Sequence, residues 1–533
     1  MEKVHHKVHE VDLSIALEED SDEYNYITGW KLHCIFGGLG LGLFLVNFEI
    51  TIVSTALVSI TNSLNDFSRG SWIITGYMIT YIAGLVLWAK LSDLFGRKST
   101  CVVSFLIFSA FSAGCGAAQT IVQLIVCRVF QGIGGSGIYA LGIIMLYELV
   151  PPPKYPLYTT LVTILVALAN SLGPLFGGLI TEGPAWRWVF LLNVPTGAIA
   201  GLILLIILPN NFPNQGRRIT RKPLDPRAID FTGAFLMLAA LALLVTGLEE
   251  AASLLAWTST STIVPLCASL VAWIAFLVSQ WYASRPTSIT QPVFPWTFCQ
   301  DRVIGGLLLN SFATGAVSIT CIFQLPLRYQ TAVGVSPLQA GLRLIPFSVC
   351  GPLGAMIAAI FSKGERIAPI YFTLLGSIFQ IVGLVFMSQG PASNPDWTAL
   401  YGLEVVVGLG FGFCVGTASL LTPFVLEKRD LAVGTAAVTQ FRFLGSAAVI
   451  SLITAVGNSW TREALSNSLT AAQLQSLFRS TAIIGTLPTD LQTTVRQTFV
   501  ESFNLQMRIV LGFAVFSVFT VLLMWKKAQI KVP

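Results

Sequence analysis

The chain has 533 residues, of which 54% are hydrophobic and 11% are charged, with a formal net charge of +5. Soluble globular proteins carry about 25% charged residues, so this composition excludes a soluble protein and indicates an integral membrane protein. The nine cysteines are scattered through apolar runs without paired spacing, which favours buried thiols over a disulfide framework or a metal site. We therefore expect no metal and no cofactor.

The chain starts with a polar, acidic segment, residues 1–28, which lacks the basic start and the small-residue cleavage site of a signal peptide. This composition predicts a disordered cytoplasmic tail. Apolar runs of about 20 residues, the length that crosses a bilayer as a helix, then recur about fourteen times. Numbered as spans 1 to 14, these runs lie at about 32–56, 71–90, 99–117, 120–145, 158–181, 188–208, 229–248, 263–283, 303–326, 338–361, 368–388, 397–425, 432–456 and 507–525.

Lysine and arginine are concentrated in every second connecting loop. The positive-inside rule places these loops and both chain ends in the cytoplasm, which requires an even number of spans. We interpret the most basic loop, residues 210–228, as a solvated cytoplasmic hinge near lipid rather than a nucleic-acid site. Its basic residues are Arg217, Arg218, Arg221, Lys222 and Arg227.

Span 4 contains the string CRVFQGIGGSG, which carries the only charge between Lys98 and Glu148. This charge belongs to Arg128, and the spacing places Gln131, Gly132 and Gly135 on the same helical face. An arginine in hydrocarbon costs at least about 2.5–3.5 kcal/mol. The face must therefore point into the protein, toward an acidic or carbonyl partner.

The same string fits the pattern G-x-G-x-x-G through Gly132, Gly134 and Gly137. A dinucleotide site needs a preceding strand and an acidic residue further on, whereas the flanks here are continuous apolar helix. We predict instead that these glycines let helices pack closely in lipid. The sequence also lacks the G-x-x-x-x-G-K-[ST] phosphate loop, so we expect no ATP and an ion gradient as the energy source.

Glu49 of span 1 is the candidate partner of Arg128. At about 1.5 Å of rise per residue, the two residues lie at nearly the same depth in a bilayer core of about 30 Å. Burial favours a neutral carboxyl group and a nearby cation favours its ionised form, so a carboxylate beside Arg128 and exposed to a cavity predicts a proton-binding site. The alternative is a permanent ion pair that only locks two helices together.

The loop between spans 2 and 3, KLSDLFGRK, predicts a conformational gate formed by Asp93, Gly96, Arg97 and Lys98. Its charges can pair with a neighbouring helix end, whereas the positive-inside rule alone explains only Lys98.

Span 5 contains SLGPLFGGLI, with Gly173, Pro174, Gly177 and Gly178. Its proline predicts a kink and its glycines predict close contact. A simple packing kink is the alternative.

These strings resemble the signatures of the major facilitator superfamily, in its fourteen-span drug:proton antiporter branch. KLSDLFGRK resembles the loop G-x-L-x-D-R-x-G-R-[RK], with Ala89 and Leu94 as departures, and RVFQGIGGSG resembles R-x-x-Q-G-x-G-[AG] of span 4. Ala169 followed by LGPLFGG resembles the antiporter motif of span 5, which distinguishes exporters from uptake porters. The strings WRWVFLLNVP and YQTAVGVSPLQAGLRLIPF also match the branch, and Glu49 stands where it usually has aspartate.

The resemblance implies an all-α membrane protein with the major facilitator fold, in which two six-helix halves are related by an axis along the membrane normal. We expect the N-terminal half at 29–209, two extra transmembrane helices at 229–284 and the C-terminal half at 303–525. A polar outer loop at 457–506 should form short helices or a cap, and residues 526–533 a second cytoplasmic tail. We expect a monomer surrounded by membrane lipid.

An internal repeat relates span 12 to span 4. RVFQGIGGSG aligns with EVVVGLGFGF, so Glu404 falls where Arg128 falls. We predict that these two residues face a central cavity from opposite halves, with Glu404 as a second protonation site or a recognition carboxylate for cationic substrates. The alternative is that Glu404 pairs locally with Arg343 of span 10.

We predict a proton-coupled efflux transporter that exports small amphipathic organic molecules, such as drugs, toxins or secondary metabolites, by alternating access. The resemblance suggests a fungal multidrug or toxin efflux pump. We expect it in the plasma membrane, with the vacuolar membrane as the alternative. Two alternatives stay open: an importer or vacuolar transporter of siderophores or basic amino acids, and a non-transporting sensor or scaffold. An enzyme lacks support, because the sequence shows no catalytic triad, metal cluster or paired catalytic carboxylates.

Overall fold

A computed structural model of the protein describes residues 26–64, 70–181, 185–213, 230–252, 257–285, 290, 292–426, 431–479 and 481–532. Most of the predicted tail at 1–28 lies outside these residues. So does most of the basic loop at 210–228, including its five cations. The described residues form helices joined by short connections and contain no β-strand.

Within the described part of the chain, fourteen helices are long and apolar enough to cross a membrane, which confirms the predicted number. Numbered in chain order, their helices are α1 (Trp30–Ser63), α2 (Gly70–Phe95), α3 (Arg97–Ala117), α4 (Ile121–Leu149), α5 (Tyr155–Thr181), α6 (Asn193–Ile207), α7 (Phe231–Ala252), α8 (Thr260–Ala283), α9 (Arg302–Arg328), α10 (Ile345–Ser362), α11 (Pro369–Met387), α12 (Ala399–Val425), α13 (Leu431–Leu465) and α14 (Thr489–Met524). The sixth span also includes the short helix Trp188–Leu191 that precedes α6.

The connection between α9 and α10 is itself helical. α9 continues into a π-helix, Tyr329–Val333, and a separate short helix, Pro337–Arg343, precedes α10. Pro346 lies in the first turn of α10, and it lacks the N–H group that a continuing helix would use. The short helix therefore ends at Arg343, and Leu344 separates it from α10.

The helices α13 and α14 extend well beyond a bilayer. α13 and α14 have 35 and 36 residues, which is about 50 Å of helix each, against a bilayer core of about 30 Å. Their extensions and two short helices, Ala471–Arg479 and Thr481–Thr486, make up the segment predicted as an outer loop at 457–506. Leu465, Leu477 and other apolar residues of this segment form a small separate core.

The helices of the two halves pack in the same pattern. In the first half, α4 contacts α1, α2 and α3, and α6 contacts α1 and α3. In the second half, α12 contacts α9, α10 and α11, and α14 contacts α9 and α11. Each helix of the first half therefore has a counterpart eight helices later, as the internal repeat of this fold requires.

The halves meet mainly through two helix pairs, α2 with α13 and α5 with α10, with smaller contacts of α4 with α13 and of α5 with α12. The two pairs are equivalent under the internal repeat, because α10 is the counterpart of α2 and α13 is the counterpart of α5. The extra helices α7 and α8 pack against each other, and α7 contacts both α2 and α13. The extra pair therefore covers one of the two interfaces between the halves.

Candidate functional site

Glu49 and Arg128 form an ion pair inside the first half. Nη1 of Arg128 lies 2.5 Å from Oε1 of Glu49, and the relative exposures of the two side chains are 1% and 0%. The structure thus brings together two residues that the sequence places at similar depth, on α1 and α4. A buried ion pair is stable only where further hydrogen bonds satisfy both groups, and both groups have them.

Neutral groups anchor the guanidinium of Arg128. Its Nε donates to the carbonyl of Ile73 at 2.9 Å, and its Nη1 donates to Oε1 of Gln131 at 2.8 Å. The guanidinium carbon also lies 4.3 Å from the centre of the Tyr77 ring, which is a cation–π contact. Arg128 therefore keeps partners that do not depend on the charge of Glu49.

The second oxygen of the Glu49 carboxylate accepts a hydrogen bond from Nδ2 of Asn193, at the start of α6. The carboxylate is fully buried, so the expectation that it is exposed to a cavity is wrong in this conformation. Its neighbours Ile50 and Thr51, however, line the central cavity. Glu49 therefore lies directly behind the cavity wall on the helix that forms part of it.

The glycine face of α4 packs against its neighbours, as predicted. A methyl group added at Gly134 would lie 2.5 Å from the backbone nitrogen of Phe108 in α3. One added at Gly135 would lie 2.5 Å from the hydroxyl of Tyr77, and Gly132 lies against the Tyr77 carbonyl. These three positions therefore allow close contact of α4 with α2 and α3.

A central cavity lies between the halves. It is lined by four helices of the first half, α1, α2, α4 and α5, and by their counterparts α9, α10, α12 and α13. Aromatic side chains such as Tyr147 and Phe411 alternate with hydroxyl groups such as those of Ser348 and Thr422. The wall is thus mainly apolar and aromatic with hydroxyl groups between the apolar side chains, and it suits an amphipathic molecule.

Charge is sparse along the cavity wall. Arg442 of α13 is the only charged side chain among the described residues that line it. Its Nη2 donates to the hydroxyl of Tyr139 in α4, over 2.6 Å, so this contact joins the two halves. The prediction that Arg128 and Glu404 face the cavity from opposite halves is wrong, because neither residue lines it.

Glu404 of α12 is fully buried and accepts a hydrogen bond from the hydroxyl of Tyr329 at 2.7 Å. Its other carboxylate oxygen has no hydrogen-bond partner in the described part of the chain. Pairing of Glu404 with Arg343 is a wrong prediction, since Nη1 of Arg343 lies 2.7 Å from Oδ1 of Asp396. Arg343 therefore has a carboxylate partner of its own in the loop between α11 and α12.

The turn between α2 and α3 carries the predicted gate residues Asp93, Gly96, Arg97 and Lys98. Gly96 has a φ of 87°, in the left-handed region that favours glycine. The guanidinium of Arg97 bridges two carboxylates: its Nη1 lies 2.8 Å from Oδ1 of Asp93, and its Nη2 lies 2.8 Å from Oε1 of Glu148. Because Glu148 ends α4, the cluster ties together the ends of three helices of the first half.

Lys98 stands apart from this cluster. Its Nζ donates to Oδ1 of Asn210, just beyond α6, at an exposed position and over 2.8 Å. Surface contacts of this kind contribute little to stability. The four residues therefore divide into a partly buried bridge centred on Arg97 and a separate surface contact.

The glycine–proline string of α5 faces the second half. Gly173, Pro174, Gly177 and Gly178 are all buried. A methyl group added at Gly178 would lie 3.6 Å from the backbone of Leu338, and one added at Gly341 would lie 3.4 Å from Cβ of Pro174. Gly173 packs against Thr51 of α1. The string therefore connects the helix of Glu49 with the interface between the halves.

Sequence reasoning missed Glu148, Tyr329 and Arg442. Glu148 lies just beyond span 4 and is the only acidic residue of α4, and its position at the end of a helix was the available signal. Tyr329 lies in a string that was matched to the family only as a whole. Arg442 is the only charged residue inside span 13, so the argument applied to Arg128 also applied to it. No group of three metal-binding side chains occurs in the described ranges.

Comparison with known proteins agrees with the fold. A family model described as Major Facilitator Superfamily matches residues 39–450. The "MFS-type transporter FPY5" of Fusarium mangiferae is 37% identical over 530 residues, which cover 98% of this chain and 88% of that protein. The "MFS-type efflux pump LUC4" of a Fusarium species is 28% identical over 440 residues, covering 82% and 76%.

A solved structure has the same fold. The crystal structure of a bacterial homolog of the human lysosomal transporter Spinster, in an inward-facing and unoccupied conformation, aligns with a TM-score of 0.61. The alignment covers 94% of this chain and 100% of that chain, at 15% sequence identity. At this identity the likeness concerns the fold alone.

Proposed function

The chain belongs to the Major Facilitator Superfamily and is a multi-pass membrane transporter rather than an enzyme, and from that premise we propose that it is a proton-coupled exporter. Its cargo is a small amphipathic organic molecule of the kind represented by drugs, toxins and secondary metabolites. It works as a monomer in lipid, in the plasma membrane. The printed name of one relative, an efflux pump, supports export over import.

The observation that carries this proposal is the buried pair of Glu49 and Arg128 behind the cavity wall. A carboxylate can accept a proton, whereas a guanidinium stays charged in proteins. Protonation of Glu49 neutralises the anion that ties α1 to α4, while Arg128 keeps its bonds to Ile73 and Gln131. The proton therefore weakens one specific contact between two helices.

This change reaches the interface between the halves along α1. Thr51, two residues beyond Glu49, packs against Gly173 of α5, and the next residue of α5, Pro174, contacts Gly341 ahead of α10. A small shift of α1 therefore displaces α5 at the place where α5 packs against the second half. Rocking of the halves then exposes the cavity alternately to the two sides of the membrane, as in other transporters built from repeats.

The gate cluster contributes the other requirement of such a cycle, which is a rigid half. Arg97 connects α2, α3 and α4 through Asp93 and Glu148. Because α2 also contacts α13 of the second half, the position of α2 depends on this cluster. Loss of the bridge therefore disturbs one of the two interfaces along which the halves move.

Transport by the purified full chain in liposomes tests the proposal. Liposomes with an acidic lumen and a neutral exterior are given a panel of neutral, anionic and cationic amphipathic dyes, with protein-free liposomes as the control for passive distribution. We expect dye accumulation by the inside-out molecules, which stops when an ionophore collapses the pH gradient. The Glu49→Gln variant should let dye equilibrate but should not respond to the gradient.

Two results would contradict the proposal in different ways. Dye movement that is the same with and without the gradient argues against proton coupling. Accumulation only in the direction of import argues against export, and leaves the coupling intact.

A further inference from the structure

The cavity wall has an unbalanced charge. Among the described residues that form it, Arg442 is the only ionisable side chain other than tyrosines, and no carboxylate faces it. The nearby acids are held elsewhere, since Glu49 pairs with Arg128 behind the wall and Glu404 bonds to Tyr329 away from the cavity. A cation that faces a cavity without an anion favours a ligand that brings one.

We propose that the transported molecules are amphipathic organic anions, which bind in this cavity by pairing a carboxylate or a similarly acidic group with Arg442. The inference rests on the proposed export function and specifies its substrate class. It replaces the expectation of cationic substrates, because the carboxylate suggested for them, Glu404, does not line the cavity.

The geometry of Arg442 leaves donors for such a ligand. A guanidinium has five N–H donors, and the side-chain bond found for Arg442 is the one from Nη2 to the hydroxyl of Tyr139. That acceptor is a neutral phenol, which binds a guanidinium more weakly than a carboxylate does. The structure includes no ion pair of Arg442 with any residue it describes. An anionic group can therefore pair with the free edge of the guanidinium or displace Tyr139.

The surroundings of Arg442 suit the apolar part of the same molecule. The ring of Phe443 lies beside Arg442, with the centres of the Tyr81 and Tyr139 rings 5.1 Å and 5.6 Å from its own. Aromatic faces of this kind pack against flat or branched hydrocarbon. A charged head at Arg442 and an apolar body against Phe443 together require an amphipathic anion and not a small inorganic one.

Binding at Arg442 also has a place in the transport cycle. Tyr139 belongs to α4 of the first half and Arg442 to α13 of the second, so their hydrogen bond is a contact between the halves. An anion that competes with Tyr139 for the guanidinium weakens this contact when substrate is bound. Arg442 thus binds the substrate, and the contact between the halves becomes weaker when the substrate is bound.

The test measures binding with three matched probes: 1-pyrenebutyrate, its methyl ester and 1-pyrenebutylamine. The purified full chain in detergent is titrated at neutral pH and probe fluorescence anisotropy is recorded. We expect pyrenebutyrate to bind at least about tenfold more tightly than the ester or the amine, since a charge-assisted bond is added to the same apolar contact.

Three variants locate the effect. Arg442→Gln should lower the affinity for pyrenebutyrate to that of the ester, without changing the affinity for the ester. Thr439→Asp places a carboxylate one helical turn before Arg442 on the same cavity-lining face and should abolish the preference while keeping the arginine, which covers the case in which Arg442→Gln does not fold. Arg366→Gln, at an exposed arginine remote from the cavity lining, should change nothing.

The outcomes separate this inference from the proposed function. Equal affinities of the acid and the ester, a preference for the amine, or a preference for the acid that survives both Arg442→Gln and Thr439→Asp would overturn the anion inference while export stands. If none of the probes is bound and the dye panel is not transported, the proposed function fails and the inference fails with it.

Discussion

Arg128 and Glu404 occupy equivalent places in the two halves of the fold. Each lies in the first third of the fourth helix of its half, and a glycine follows four residues later. Gly132 lies against a backbone carbonyl of α2, and a methyl group added at Gly408 would lie 2.6 Å from a backbone carbonyl of α10, which is the counterpart of α2. The repeat that the sequence suggested is therefore present in the packing.

The partners of these two residues also come from equivalent helices, but their chemistry differs. Arg128 binds a carboxylate of α1, Glu49, whereas Glu404 binds the phenol of Tyr329, the first residue of the π-helix that continues α9. The first half therefore holds a buried ion pair where the second half holds a carboxyl group bonded to a neutral partner. This difference gives opposite expectations for the same substitution in the two halves.

Replacing Glu49 by glutamine should destabilise the protein far more than replacing Glu404 by glutamine. Glu49→Gln leaves a buried guanidinium without its anion, and such a loss costs on the order of 3 kcal/mol. Glu404→Gln keeps an amide oxygen that can accept from Tyr329 and leaves no cation unpaired. Thermal unfolding of the purified variants in detergent measures both. Equal losses of apparent Tm would contradict the assignment of the ion pair.

Substitution of Glu404 should leave the substrate range unchanged. Its side chain is buried and does not line the cavity, so Glu404→Gln removes no contact with a molecule bound there. Transport of the dye panel at matched surface expression is the measurement. A changed order of dye preference would restore Glu404 as a recognition carboxylate, and a changed pH dependence would support it as a second protonation site.

Counting along the spans could predict the contact of Glu49 with Arg128, because both lie on regular helices where depth follows residue number. The same counting failed for Arg343, whose guanidinium pairs with Asp396 in the loop before α12, because the position of a loop residue does not follow from depth along a span. It could not predict Tyr329 as the partner of Glu404 either, since the π-helix Tyr329–Val333 changes the direction of each side chain within it.

Which helix ends lie side by side is also beyond a single sequence. The loop string identified Asp93 and Arg97, which are close along the chain, but not Glu148, which is 51 residues away and reaches Arg97 only through packing of α3 on α4. Positions on one helix face follow from periodicity. Contacts between different helices depend on the crossing of those helices, which periodicity does not specify.

Glu148 should couple to Arg97 more strongly than Asp93 does. The carboxylate of Glu148 accepts from both Nε and Nη2 of Arg97 and its side chain is 17% exposed, whereas Asp93 is 31% exposed. Exposure to water weakens an ion pair and a two-point contact strengthens it. Double-mutant cycles with Arg97→Gln, Glu148→Gln and Asp93→Asn, read by unfolding in detergent, measure both couplings.

The matched control for this cluster is Lys98→Gln, at the adjacent exposed cation whose bond goes to Asn210. We expect it to change transport by less than about twofold, as for other surface contacts. A coupling of Asp93 with Arg97 that equals or exceeds that of Glu148 would contradict the geometry of the bridge.

Gly410 and Gly402 lie on the same helix, α12, and should respond oppositely to alanine. A methyl group at Gly410 would lie 2.6 Å from the carbonyl oxygen of Gly376 in α11, and that atom is backbone and cannot turn away. Gly410→Ala must therefore separate α12 from α11, and overpacking of this kind costs about 1–3 kcal/mol. A methyl group at Gly402 meets no atom within 4 Å, so Gly402→Ala should stabilise the helix by about 0.5–1 kcal/mol.

Thermal unfolding in detergent should thus lower the apparent Tm for Gly410→Ala and keep or raise it for Gly402→Ala. The repeat extends the expectation to Gly134 of α4, where a methyl group would lie 2.5 Å from the backbone nitrogen of Phe108 in α3, the counterpart of α11. Because both glycines hold the fourth helix of a half against its third, Gly134→Ala should lose as much stability as Gly410→Ala. A lower apparent Tm for only one of the two variants would show that the equivalent glycine contacts do not contribute equally to stability in the two halves.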